Sequence, residues 1–325
     1  MTDTAAALIG RHGIETGTTG SRAIMKRITV DVAVIGAGTA GLAAYRAATA
    51  AGRRALIIEG GPQGTTCARV GCMPSKLLIA AADAAHLPQK WPELGLRLDG
   101  ALAVDGGAVM ARVKRERDRF VGFVLDGVAA IPESDRIHGY ARFVDDRTLD
   151  VDGHTRIGYG RVVIATGSSP AIPPLLRAAG DRLVVKDDIF AWDDLPRSVA
   201  VFGPGVIGLE LGQALHRLGV RVLMFGRGGH VGPFTDPEVR AYAMHTFQRE
   251  LALDADADIR AIERDGDRVV LRHRGRDGAE RASAVDYVIA ATGRRPNVRQ
   301  LGLENTSLAL DRNGIPVFDQ NTMQC

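Results

Sequence analysis

Two thiols five positions apart, Cys67 and Cys72, are the side chains best placed to do chemistry. They lie in the stretch Gly64-Thr65-Thr66-Cys67-Ala68-Arg69-Val70-Gly71-Cys72-Met73-Pro74-Ser75-Lys76. In an unbroken helix, residues i and i+5 sit roughly 8–9 Å apart at their Cα atoms. A disulfide needs less than about 7 Å. A bond between these cysteines therefore requires a bent backbone, and Gly71 is the natural place for the bend. Pro74 suits the first turn of a helix, and the apolar run from Leu77 to Ala85 reads as that helix. A thiol at a helix N-terminus feels the positive end of the dipole, which lowers its pKa. These are the conditions of a redox disulfide rather than a structural one.

On the pair alone, two other readings stay open: buried small residues, or half of a zinc site. A zinc site needs about four clustered ligands. The remaining cysteine is Cys325, and no histidine lies within ten residues of the pair. What raises the redox reading is the company the pair keeps.

That company starts upstream. Val30-Asp31-Val32-Ala33-Val34-Ile35 is a buried, β-branched run. Gly36-Ala37-Gly38-Thr39-Ala40-Gly41 follows, then a small-residue helix from Leu42 to Ala51 closed by Gly52. Arg54 to Ile58 is a second strand with Glu59 at its end. Strand, glycine turn, helix, strand and acid within about thirty residues form a dinucleotide fingerprint. Gly36, Gly38 and Gly41 admit a pyrophosphate to the helix N-terminus, and Glu59 can take ribose hydroxyls.

The unit recurs. A shift of 167 positions carries Gly36, Gly38, Gly41 and Gly52 onto Gly203, Gly205, Gly208 and Gly219, between the strands Ser198–Phe202 and Arg221–Phe225. Ala165-Thr166-Gly167 recurs as Ala291-Thr292-Gly293. One position breaks the match: Glu59 falls on Gly226, followed by Arg227. The second site lacks the acid that favours a 2′-hydroxyl, and Arg227 could accommodate a 2′-phosphate, which leans towards NADP. A solvated loop residue is the other reading of Arg227.

At 325 residues, two domains are expected. The formal charge of +3 is too small to argue for nucleic acid. No run of about 18 apolar residues exists to span a membrane. Three cysteines fit a reducing compartment, hence a cytoplasmic protein. The helix from Val109 to Val128 carries the run Lys114–Arg119, read as a solvated face. Arg136 to Val144 alternates like one strand, Thr148 to Val151 pairs back, and Ile315–Phe318 reads as a short strand.

The cysteine motif with Pro74-Ser75-Lys76, both glycine fingerprints and both Ala-Thr-Gly turns resemble the flavoprotein pyridine nucleotide-disulfide oxidoreductases. The likeness is nearest to dihydrolipoamide dehydrogenase-like members, beside glutathione and mercuric reductases, and it covers residues 30 to 325. It implies an α/β fold of two Rossmann-like domains, the second inserted into the first. The expected division is a disordered tail (1–29), an FAD domain (30–168), an NAD(P) domain (169–293) and a return segment (294–325). By motif position, Cys67 would be the interchange thiol and Cys72 the thiol against the flavin. Lys76 would sit near flavin N5 in a buried pair with Glu210. Thr66, Ala141, Thr166 and Gly167 match FAD-contacting positions.

The resemblance also implies electron transfer between a dihydrolipoyl-type dithiol (small molecule or lipoyl domain), the cysteine pair, FAD and NAD or NADP. The same parts could run from NADPH to a disulfide or a mercuric ion. The family's dimerisation domain and its His–Glu pair are not reached by Cys325. The sequence is accordingly read as a truncated piece of a homodimeric protein, with little dithiol turnover of its own.

Overall fold

The computed structural model describes residues 25–275 and 277–325. The β-branched runs become parallel strands, as their burial on both faces demands. In order, the first unit comprises β1 (Lys26–Ile35), α1 (Thr39–Ala50), β2 (Ala55–Glu59), α2 (Thr66–Val70), α3 (Cys72–His86), α4 (Gly106–Ala129), β3 (Arg136–His138), β4 (Ala141–Asp145), β5 (Thr148–Val151) and β6 (Thr155–Ile164). Its six-stranded sheet has the order β3-β2-β1-β6-β5-β4. The first four strands run parallel, and β5 and β4 add antiparallel at the edge.

The chain leaves this unit through β7 (Ser168–Pro170). It then builds β8 (Leu183–Val185), α5 (Lys186–Ile189), β9 (Ser198–Phe202), α6 (Val206–Arg217), β10 (Arg221–Phe225), α7 (Pro237–Glu250), β11 (Ala252–Asp254), β12 (Asp258–Asp265), β13 (Arg268–Arg274), β14 (Glu280–Val285) and β15 (Tyr287–Ala290), and returns through β16 (Arg294–Pro296). A parallel sheet of order β11-β10-β9-β15-β8 forms the second unit's core, with β12-β13-β14 as a separate antiparallel sheet. Outgoing β7 and returning β16 pair antiparallel, Arg294 opposite Pro170. After β16 the chain packs on the first sheet: Val298, Leu301 and Leu303 join a core with Phe143, Leu149 and Ile157, and Leu301 O accepts the Phe143 N–H at 2.7 Å.

The two units also meet through helices. Leu78 and Ala82 of α3 and Met110 and Val113 of α4 share one apolar cluster with Leu211, Ala214 and Leu215 of α6. At its edge Arg217 bonds Asp83 and Glu250, each at 2.7 Å.

Four expectations change. The tail expected over 1–29 lies outside the described residues up to 24, but Lys26–Thr29 are strand, because they pair with Thr155–Gly158. The alternating run from Arg136 breaks into β3 and β4 at Gly139, whose φ of 140° no strand continues through. The Lys114–Arg119 run is not simply a solvated face: Arg117 donates to Phe190 O (3.2 Å) and Lys114 pairs with Asp193, both in the second unit. Ile315–Phe318 forms only an isolated bridge, Pro316 to Leu310.

Candidate redox and dinucleotide sites

The cysteine stretch folds as two helices joined at a break. Thr65 opens α2 with φ +59° and accepts the Ala68 N–H on its hydroxyl at 3.1 Å. Gly71, at φ −128° and ψ −120°, ends α2, and Cys72 is the first residue of α3. A side chain at Gly71 would place its Cβ 2.9 Å from Thr66 O and 3.0 Å from the Cys67 Cα. Only glycine lets the backbone double back this tightly, and the doubling brings the two sulfurs together.

Both thiols are free, Cys67 half-buried and Cys72 exposed. Burial pushes the Cys67 thiol above its ordinary range, and the neighbouring Cys72 thiol adds to the rise. The backbone N–H groups of Cys72 and Met73 pull the other way. The helix start therefore does face Cys67, as the sequence implied, but desolvation outweighs it and the expected lowering is reversed.

Lys76 and Glu210 meet directly. Ser75 Oγ donates to the same Glu210 Oε1 at 2.9 Å and lies 3.2 Å from Cys72 O. The pair was expected to be buried. Glu210 is largely covered, but the Lys76 side chain is 66 % exposed. The contact forms on the rim between α3 and α6, where screening keeps such a pair to about 1 kcal/mol or less.

A cleft of about 640 Å³ opens at the C-terminal edge of the first sheet. Gly36, Gly38, Glu59, Thr66, Ala141, Thr166 and Gly167 all line it. Glu59 bridges its floor, accepting Ala37 N–H on Oε2 (2.8 Å) and Gly61 N–H on Oε1 (2.7 Å). Cys67, Cys72 and Lys76 are not on its wall, and Gly41 packs against the Gly36 carbonyl beneath the turn. Arg69, Tyr140 and Asn297 line it too. Sequence reading did not single them out. Asn297 donates to Thr166 O (3.0 Å), and its backbone N–H bonds Gly167 O.

A second cleft, about 1070 Å³, lies over the second glycine turn. Gly203, Gly205, Arg227 and Gly293 line it, together with Lys186, Gly226, His230 and Arg294. Arg240 donates to His230 Nδ1 at 3.2 Å, beside Arg227. Gly208 packs beneath the turn, as Gly41 does in the first unit.

Residues 30–324 match the family described as pyridine nucleotide-disulphide oxidoreductase. The chain belongs to this family. It is 33 % identical to a mercuric reductase of Shigella flexneri over 96 % of this chain and 54 % of that protein. It is 33 % identical to dihydrolipoyl dehydrogenase 3 of Pseudomonas aeruginosa over 88 % of this chain and 62 % of that one. Mercuric reductase is the more frequent name among such relatives. The HOCl-induced flavoprotein disulfide reductase RclA of Escherichia coli shares the fold, at a TM-score of 0.73 and 22 % identity, covering 89 % of this chain and 62 % of that one. The chain thus spans between half and two-thirds of the length of these proteins. No helix among the described residues is long and apolar enough to cross a membrane.

The oxidoreductase family works with FAD and a pyridine nucleotide, NAD or NADP, and both clefts are shaped for such groups. At Gly36 a Cβ would meet Ala165 O at 2.3 Å, and at Gly203 it would meet Ala291 O at 2.5 Å. At Gly41 and Gly208 it would meet the carbonyl oxygen of Gly36 and Gly203 at 1.7 and 1.9 Å. These glycines press strand, turn and helix together. Gly38 and Gly205 instead have nothing within 4 Å of that direction. Each is a backbone cradle that a side chain would fill, at the uncapped N-terminus of a twelve-residue helix. Bare amides at an uncapped helix start suit a pyrophosphate.

Proposed function

We propose that this chain carries the electron-transfer half of an FAD-dependent dithiol–disulfide oxidoreductase, with Cys67 and Cys72 as its redox pair. The observation that carries the reading is the Gly71 break, which sets the two thiols side by side on consecutive helices next to the Thr66 wall of the first cleft. FAD, when bound, supplies a two-electron carrier between thiols and pyridine nucleotide. The chain's residues do the rest. The Gly36–Gly38 turn and the start of α1 hold the pyrophosphate. Glu59, two of whose roughly four lone-pair sites are taken by backbone N–H groups, offers the others to ribose hydroxyls. Lys76, braced by Glu210, is the cation assigned to the flavin side of the pair. Cys67 meets the incoming group: a dithiol's thiolate attacks its sulfur in the bonded pair and releases Cys72 as a thiolate, whereas in the reduced pair the Cys67 thiolate itself attacks an incoming disulfide.

At the second cleft the reading is NADP in preference to NAD. No acid can stand at position 226, where a Cβ would lie 2.6 Å from Ala255 O, and Arg227 lines the wall beside His230. The substrate is a dihydrolipoyl-type dithiol or a related disulfide, and the full-length protein is read as a cytoplasmic homodimer. A second reading, reduction of a mercuric ion at the same pair, is favoured by the similarity to mercuric reductases.

The test is an anaerobic titration of the FAD-loaded chain with NADPH and with NADH. Two-electron reduction should raise a long-wavelength absorption band that Cys72→Ser abolishes, and NADPH should act at the lower concentration. A band unchanged in Cys72→Ser refutes the assignment. Oxidation of NADPH on adding Hg(II), but not a lipoyl disulfide, selects the second reading.

A further inference from the structure

Lys186 belongs to the second unit, yet it ends on the segment between the two cysteines. It is the first residue of α5, and its side chain is only 12 % exposed. Nζ donates to the Val70 carbonyl at 2.7 Å and to Asp187 Oδ1 at 2.6 Å. Val70 is the last residue of α2, where helix carbonyls run out of intrahelical donors. Lys186 supplies one. It also lines the second cleft. Among the described residues, it alone both lines that cleft and hydrogen-bonds the segment between Cys67 and Cys72.

The position matters because α2 is only five residues long and has few bonds of its own. Two free thiols become a disulfide only when the sulfurs close to about 2.05 Å. Whatever part of that closure side-chain rotation does not take up must come from the intervening backbone, Val70 and Gly71. The far end of α5 is fixed as well, by Arg117 on Phe190 O. A shift at Val70 is therefore felt at Lys186, and so at the wall of the second cleft.

We propose that Lys186 is a positioning residue that links occupancy of the second cleft to the state of the cysteine pair. A pyridine nucleotide that touches this ammonium reads whether the pair is bonded, and by reciprocity its binding biases the pair. The proposal rests on the function assigned above.

The experiment measures NADP+ and NAD+ affinity calorimetrically on the FAD-loaded chain. One form carries the Cys67–Cys72 disulfide; the other carries Cys67→Ser, which cannot close it. Neither form can pass electrons to the oxidised nucleotide. With Lys186 present, the two forms should differ in affinity by about fivefold or more. In Lys186→Met, and in Lys186→Leu should the first variant fold poorly, the ratio should fall to near one. Lys186→Arg, which keeps a donor for Val70 O, should restore it.

A ratio unchanged in Lys186→Met and Lys186→Leu overturns the proposal and leaves the functional reading standing. So does a ratio near one with Lys186 present, when a nucleotide binds. A collapse not recovered by Lys186→Arg assigns the effect to packing and overturns it too. Binding of neither nucleotide sinks the functional reading and the proposal together.

Discussion

Two glycines three residues apart in the first turn should respond in opposite ways to one added methyl group. Gly38 sits at φ −78° and ψ −174°, extended backbone that any residue adopts, and its Cβ direction is empty to 4 Å. Gly38→Ala should leave the fold intact. By restricting the unfolded chain it should even stabilise by about 0.4–1 kcal/mol. The methyl group nevertheless fills the cradle under the pyrophosphate. Losing one charge-assisted hydrogen bond there costs about 1.5–3 kcal/mol, roughly a ten- to hundredfold loss of affinity.

At Gly41 the same methyl group would lie 1.7 Å from Gly36 O and 2.9 Å from its carbonyl carbon. Neither atom can step aside alone, so α1 must move off the turn. Overpacking of this kind costs about 1–3 kcal/mol. Thermal unfolding and FAD fluorescence titration of the deflavinated chain separate the two effects. Gly38→Ala should melt at or slightly above the parent temperature and bind FAD at least about tenfold more weakly. Gly41→Ala should melt several degrees lower. Tight FAD binding by Gly38→Ala would refute the cradle, because it would show that the pyrophosphate does not approach this amide. Gly205→Ala and Gly208→Ala should repeat the contrast for the pyridine nucleotide.

Other outcomes follow from the same geometry. With the Cys67 thiol raised by burial and by its neighbour, its alkylation by iodoacetamide should rise at higher pH than that of the same peptide in urea, as peptide mass mapping would show. Glu250 is held below the usual carboxylate range: burial opposes this, but Arg217 and Gln213 outweigh it. Its contribution to stability is therefore present above the unfolded carboxylate pKa and lost as pH falls through the lowered folded value. Arg217→Met should cost about 2 kcal/mol near neutrality and flatten the acid limb of a urea-denaturation series. Gly226→Asp should not convert the second cleft to NAD. Its Cβ meets Ala255 O and Pro204, so binding of both nucleotides, measured by calorimetry, should weaken.

The glycine turns were legible in the sequence because their constraint is local: strand, turn and helix start lie within a dozen residues. Ser198–Phe202, Arg221–Phe225 and Thr148–Val151 emerge with the bounds their patterns indicated. The bend at Gly71 was legible for the same reason, since the distance two sulfurs must close sets it. What escaped depends on contacts between distant segments. Burial of Cys67 is set by elements packed around α2, and it reverses a dipole argument made from the helix alone. Lys76 lies at the rim because α6 meets α3 there, which spacing cannot disclose. Asn297, Lys186 and Arg117 read as ordinary polar residues until the fold carries them against Thr166, Val70 and Phe190.

The pairing of β7 with β16 has a consequence for engineering. Departure and re-entry lie on neighbouring strands, with Asn297 N–H on Gly167 O closing the gap beside them. Residues 171–293 therefore form a cassette whose two ends are already adjacent. A short glycine link could splice them out, or another domain with adjacent termini could take their place. The graft would still have to cover the apolar surface of α3 and α4 that α6 now shields, and that requirement is the design problem such a chimaera would have to solve.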